Sequence, residues 1–383
     1  MKKTKISKLI YIIIIIIMFG VIFKNAPIQA FSKEISPSEI VMEKSSKRVL
    51  FKSNESIKRP MASTTKIATC ITVINNCNLE DEVLITDEMT NIEGSSIYLK
   101  AGEKLKVIDL LYGLMLRSGN DSACALAIHC SGSINKFAEL MNNTAKSYGL
   151  QNTNFVNPHG LHDENHYTTS YDLALLTCHA LENETFSKIV STKRYECTNS
   201  DGYKRIFYNK NKLLSSYDGC NGVKTGYTKM AGRCLVSSAT TNDMQLVTVV
   251  LGCAPMYERS TELFNNAFSA FSKEKIVSKN TEIGEIDLQS ELLDKDIKLK
   301  FCTKNDIILP LTDYEKENVK IECDIPKYVN IPIKDGAFLG NLNVYIGNNL
   351  ICCEKLYIIN GKLSLNFAEA FIGVVNRWRF YEN

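Results

Sequence analysis

The stretch "PMASTTKIATCITVINNCNLE", residues 60–80, carries one lysine, Lys66, and then no charge until Glu80. Ile67, Ile71 and Ile74 recur at helical spacing, so Ala62 to about Ile74 reads as a buried helix. On such a helix Ser63 and Lys66 lie one turn apart on one face. Burial penalises an ammonium and lowers its pKa. An amine short of its proton beside a hydroxyl is a base beside a nucleophile. Ser63 also falls in the first helical turn, where free backbone N–H groups and the helix dipole favour negative charge. The spacing alone is not specific, because Ser-x-x-Lys recurs at Ser133–Lys136 and Ser272–Lys275, in more polar settings.

Outward from this helix, Arg48–Lys52 reads as a strand closed by the turn Ser53-Asn54-Glu55-Ser56. Helical patterns run from Val107 to about His179. Arg233–Ala239 and Gln245–Leu251 are β-prone runs around the hairpin turn Thr240-Thr241-Asn242-Asp243, and Ser260–Phe271 reads as a closing helix. A strand, many helices, then strands and a last helix predict an α/β (α+β) domain whose sheet is built from both ends of the segment around a helical insertion. From Ile276 to Asn360 short β-prone runs alternate with turns, as in "VNIPIKDGAFLGNLNVYIGNN", which predicts a small all-β domain with Ser272–Lys275 at the joint.

Two further fragments stand in suggestive places. "LMLRSGNDSACALA" sets Ser118-Gly119-Asn120 between two helices, where Asn120 or Asp121 could be only a cap. "GCNGVKTGYTKMAGRCLVSS" sets Lys224-Thr225-Gly226 on a strand, where the lysine could be only an edge guard. Each is common by itself; the three in this order, on helix, loop and strand, are not.

Together, Ser63-Thr-Thr-Lys66, Ser118-Gly-Asn120 and Lys224-Thr-Gly226 resemble the signature of penicillin-binding proteins and serine β-lactamases. More narrowly, the chain is similar to the low-molecular-mass D-alanyl-D-alanine carboxypeptidases. That branch is marked by "RPMASTTKIAT", by the loop "NPHGLHDENHYTTSYDLALL", by Arg259 beyond the Lys-Thr-Gly strand and by a trailing β domain. The resemblance implies a β-lactamase/transpeptidase-like antiparallel sheet with a helical subdomain. It also implies an acyl-enzyme on Ser63, Lys66 as base, Ser118 relaying a proton to the leaving nitrogen and Asn120 positioning Lys66 and substrate. Lys224, Thr225 and Arg259 would bind the terminal carboxylate, and the N–H groups of Ser63 and Tyr227 would form the oxyanion hole beside Gly226. Some relatives have histidine where this chain has Tyr227. The implied partners are peptidoglycan muropeptides and, as covalent inhibitors, β-lactam antibiotics. No metal or organic cofactor is implied. His159, His162 and His166, beside Asp163 and Glu164, raise the question of zinc, but their spacing fits no helix face and the resemblance assigns the loop to the active-site wall.

The ends of the chain bear on location. Lys2, Lys3, Lys5 and Lys8 precede an apolar run from Leu9 to Phe23 and then Asn25–Ala30, the layout of a secretory signal, so residues 1–30 are expected to be removed. These thirty residues hold five lysines and no acid, so the formal +3 of the whole chain becomes −2 for the remainder, which gives no electrostatic footprint for nucleic acid. The expected division is therefore signal 1–30, peptidase domain 31–275, all-β domain 276–360 and tail 361–383. In the tail Leu363, Phe367, Phe371, Val374, Val375, Trp378 and Tyr381 share a helical face, which predicts a helix in the membrane interface at the outer face of the cytoplasmic membrane. A helix docked on the β domain is the plainer alternative. The thirteen cysteines are odd in number and several sit in apolar helical patterns, so most are expected to be thiols. A β-lactamase using Glu164 for deacylation, or a noncatalytic envelope protein, are the competing functions. Gly119 at the middle of the Ser118 motif disfavours the first, and the complete serine, lysine and asparagine set disfavours the second.

Overall fold

The computed structural model describes residues 36–289, 297–330 and 332–359, together with Phe371. The signal segment 1–30 and nearly all of the tail helix 361–383 lie outside the described residues. A five-stranded antiparallel sheet organises the larger domain: β1 (Ser38–Glu43), β2 (Val49–Ser53), β7 (Cys220–Thr228), β8 (Gly232–Thr241) and β9 (Met244–Leu251), in the order β2-β1-β9-β8-β7. Two short pairs lie between them in sequence: β3 (Glu82–Leu84) with β4 (Lys104–Lys106), and β5 (Arg194–Thr198) with β6 (Lys204–Tyr208). The two ends of this domain's stretch of sequence meet in the sheet, since Ser38 pairs with Leu251 and Glu43 with Leu246.

Alternation along the strands sends side chains to two cores. Ile40 and Met42 of β1 and Val247, Val249 and Leu251 of β9 face the helical insertion, while Val41, Leu246 and Val250 face the helix Met256–Ala270. The central strands are buried on both faces. β8 and β9 close through Asn242 and Asp243, both with positive φ (48° and 60°), the geometry of a two-residue hairpin turn that matches strand twist.

The all-β region has its own core of Ile286, Leu299, Phe301, Leu342, Val344, Leu356 and Ile358 beneath a six-stranded sheet. The segment read as a joint is itself a strand, Ser272–Val277, paired with Ile307–Leu311, and a short helix, Asp313–Glu317, interrupts the β pattern. Arg48 bonds the Pro310 carbonyl and, at 2.5 Å, the Glu315 carboxylate. All thirteen cysteines are held as thiols.

Candidate active site

Ser63 stands in a 3-10 turn, Ala62–Thr65, that runs directly into the helix Lys66–Asn76. Ala62, immediately before it, is held at φ 50°, a strained position for a residue with a Cβ. Two close approaches hold the turn. A Cβ on Gly226 would stand 3.1 Å from both the Met61 oxygen and the Ser63 nitrogen, so the glycine lets edge strand β7 lie against Ser63. A Cβ on Gly160 would stand 1.9 Å from the Ala62 oxygen, so the loop of His159 presses on the same turn from the other side.

Lys66 is fully buried, and its ammonium nitrogen has three partners: Ser63 Oγ at 3.0 Å, Asn120 Oδ1 at 2.7 Å and the His159 carbonyl at 2.6 Å. Burial, and then the charge of Lys224, push its pKa well below the usual lysine range. A neutral amine has two N–H bonds and one lone pair. Two of the partners are carbonyl oxygens that can only accept. In the neutral form these two would take both N–H bonds and leave the lone pair for the Ser63 hydroxyl, whereas the ammonium donates to Ser63 Oγ as well.

Asn120 opens the helix Asn120–Ser131, and its Nδ2 donates to the Glu93 carbonyl at 2.5 Å, which fixes Oδ1 toward Lys66. Just before it the preceding helix widens at Gly113–Arg117. The Ser118 N–H bonds back to the Gly113 carbonyl and Ser118 takes the left-handed conformation, φ 64°. A helix wound to i→i+5 is a recurrent device at functional sites, and here it delivers the Ser118 side chain to the cleft floor.

Across the cleft, Lys224 is buried on β7, and its Nζ donates to the Thr225 carbonyl at 3.0 Å. Burial, and then Lys210, bring its pKa down to about 7. The cleft itself has a volume of about 350 Å³ and is lined by Ser63, Ser118, Thr225, Gly226 and Tyr227, together with Ser95, Lys210, Arg233, Met256 and Tyr257. Lys210 and Arg233, without a carboxylate on the lining, suit it to an anion.

Of the expected set, Lys66, Asn120 and Lys224 are buried behind this lining, and Arg259 is engaged elsewhere. Arg259 is bound bidentately by Glu39, at 2.9 and 2.8 Å, and at 2.8 Å by Glu262, and it does not line the cleft. Its guanidinium is drawn to β1, where Glu39 is only 7% exposed and needs a counter-charge. Arg233 does line the cleft, opposite Tyr227 in the β7–β8 register and 5.9 Å from its ring.

The histidine loop is a wall. His166 Nδ1 accepts from the Val156 N–H, so its proton sits on Nε2, which donates at 2.8 Å to Thr65 Oγ1; that hydroxyl donates to the Ala62 carbonyl. Burial lowers the pKa of His166 to about 4 and that of His159 to about 3, so both rings are neutral props. His162, Asp163 and Glu164 are exposed.

A serine, a buried lysine whose pKa is held well below its usual range and a cationic cleft now stand together, and comparison with known proteins decides the family. Residues 26–254 match the D-alanyl-D-alanine carboxypeptidase family, and residues 271–360 match the C-terminal domain of penicillin-binding protein 5. The chain belongs to the D-alanyl-D-alanine carboxypeptidase family. It is a serine peptidase, a hydrolase of the low-molecular-mass penicillin-binding group. It is 31% identical over 314 residues to the D-alanyl-D-alanine carboxypeptidase DacF of Bacillus subtilis, covering 80% of each chain. It is 30% identical over 340 residues to the carboxypeptidase DacA of Haemophilus influenzae, covering 84% of each. Penicillin-binding protein 5 of Haemophilus influenzae superposes with a TM-score of 0.74 at 29% identity, over 85% of this chain and 96% of that one.

Within this carboxypeptidase, sequence reasoning does not reach Ser95, Lys210, Arg233 or Tyr257. Only Arg233 left a signal, since counting back across the turn after the Lys-Thr-Gly strand sets it opposite Tyr227.

Proposed function

We propose that this carboxypeptidase removes the terminal D-alanine from peptidoglycan pentapeptide stems through an acyl-enzyme on Ser63. The observation that carries the reading is the Lys66 nitrogen, held by two carbonyl oxygens so that its neutral form keeps a lone pair for the Ser63 hydroxyl. Lys66 takes the Ser63 proton as Oγ attacks the carbonyl between the two D-alanines. The N–H groups of Ser63 and Tyr227 receive the oxyanion. Ser118 passes a proton to the departing nitrogen, the C–N bond breaks, and D-alanine leaves with its carboxylate on Lys224, Thr225 and Arg233. Water then attacks the ester, Lys66 again holds the proton, and Ser63 is released. A β-lactam ring offers the same nucleophile a strained carbonyl and leaves an ester that clears slowly. The exposed position of Glu164 is unsuited to activating that water, which disfavours a β-lactamase.

In this reading residues 1–30 direct export, residues 31–275 carry the chemistry, and the amphipathic segment 361–383 holds the enzyme on the outer face of the cytoplasmic membrane. Among the described residues no helix is long and apolar enough to cross a membrane. Ser63→Ala should abolish D-alanine release from a pentapeptide and the covalent penicillin mass on the chain, with unfolding temperature preserved. Continued release by that variant would refute the assignment. Deleting 361–383 should move the enzyme from the membrane to the soluble fraction; persistence on the membrane would refute the anchor.

A further inference from the structure

A second cleft of about 370 Å³ lies against the catalytic one. The two share the loop Ser95–Leu99 as a wall: Ser95 borders the catalytic cleft, and Ser96, Ile97 and Tyr98 border the other. That wall is built from the catalytic helix. The Asn120 N–H donates to the Ser95 carbonyl at 2.7 Å, and the Asp121 carboxylate accepts from the Ser96 hydroxyl and from the N–H groups of Ile97 and Leu99. So held, Tyr98 stands at φ 62°, a strained conformation for an aromatic residue, with its side chain turned outward and the residue 80% exposed.

The opposite bank is β6. Its pattern buries Arg205 and Phe207 and exposes Lys204, Ile206 and Tyr208. Tyr203 and Tyr208 are more than half exposed, so three tyrosine rings and an isoleucine crowd one surface beside the active site, an apolar patch that burial in the fold does not explain. Donors surround them. Lys204 is exposed on this bank, and Arg205 beneath it is buried, paired with Glu103 at 2.7 Å and 5.0 Å from the Tyr203 ring centre. Lys100 lies 5.6 Å from the Tyr203 ring centre, and Arg117, on the turn before Ser118, carries positive charge from Lys210 into the second cleft.

We infer that this second cleft is a glycan subsite that seats the sugar chain of polymeric peptidoglycan while a stem enters the catalytic cleft. Pyranose rings present apolar C–H faces that stack on exposed tyrosines, and their hydroxyl and acetamido oxygens accept from Lys100 and Lys204. Carboxylates of the stems match the surrounding cations. The catalytic cleft, at about 350 Å³, has room for the end of a stem but not for the polymer that bears it, and the shared wall makes the second cleft the continuous extension. The inference rests on the carboxypeptidase reading.

The test compares the full mature chain with a Tyr98→Ala, Tyr203→Ala double variant on two substrates. One is a short diacylated peptide ending in D-alanyl-D-alanine, and the other is the same stem on a glycan of several disaccharides. We expect kcat/KM on the glycan-linked stem to fall roughly ten-fold, through KM, with the short peptide and penicillin acylation unchanged. A stem-free N-acetylglucosamine oligomer should inhibit the wild type on the glycan-linked stem and lose that effect on the variant. Equal losses on both substrates, no loss on either, or inhibition by free stem peptide alone would overturn the glycan subsite. Failure of the wild type to release D-alanine from either substrate would instead overturn the carboxypeptidase reading.

Discussion

Replacing Asn120 by aspartate tests the central chemistry with almost no change of shape. Asn120 Oδ1 lies 2.7 Å from Lys66 Nζ. In the native site burial and Lys224 drive Lys66 toward the neutral amine. Asn120→Asp places a negative charge at hydrogen-bond distance, which raises a neighbouring pKa by about 1–3 units. Below the raised pKa each unit cuts the neutral fraction about tenfold. The acylation profile should therefore move up by about 1–3 pH units, with activity lost on its acid side and recovered at correspondingly higher pH. The substitution also removes the Nδ2 bond to the Glu93 carbonyl, but that loss acts on both protonation states and lowers the plateau without moving the profile. The assay is the second-order rate of labelling by a fluorescent penicillin from about pH 5 to about pH 10, with thermal unfolding as a check on folding. A profile at the wild-type position, merely lower in height, would show that Lys66 is not the base.

Three further outcomes follow from neighbouring contacts. Gly160→Ala drives a methyl to 1.9 Å from the Ala62 oxygen, so the loop must retreat and take the His159 carbonyl from Lys66; acylation should drop at least about tenfold, measured against unfolding temperature. Lys224 falls from an ordinary value of 10.5 to about 7 in the fold, so between those values the unfolded chain binds the extra proton and this group's contribution to stability rises with pH. Lys224→Met should flatten that rise in a series of unfolding temperatures. Arg259→Leu leaves the Glu39 carboxylate without its bidentate partner and should cost about 1–3 kcal/mol of stability with KM for a short peptide unchanged, whereas Arg233→Leu should raise KM about tenfold with stability kept. The reverse pattern would return Arg259 to the substrate.

The helix of Lys66 is legible because its information is local: isoleucines at helical spacing and one charge in a neutral run. The hairpin β8–β9 is legible for the same reason, with Asn242 and Asp243 suited to positive φ. Strand β1 is not. Its six residues are buried without alternation, and only pairing with β9, some two hundred residues away, makes that burial meaningful. The same limit separates the two arginines. Arg259 falls at a plausible distance beyond the Lys-Thr-Gly strand, but which way a helix turns its side chains depends on what the neighbouring strand offers, and β1 offers Glu39. Lys210 precedes β7 in an unremarkable polar run and gains meaning only when the fold sets it near Lys224. Motifs therefore supplied the serine, lysine and asparagine that meet at Lys66 Nζ, whereas long-range pairing decided where charge collects around them. That division accounts for the electrostatics of the site. The Lys66 pKa is lowered by burial, which the apolar run announces, and by Lys224, which no local pattern could place within reach.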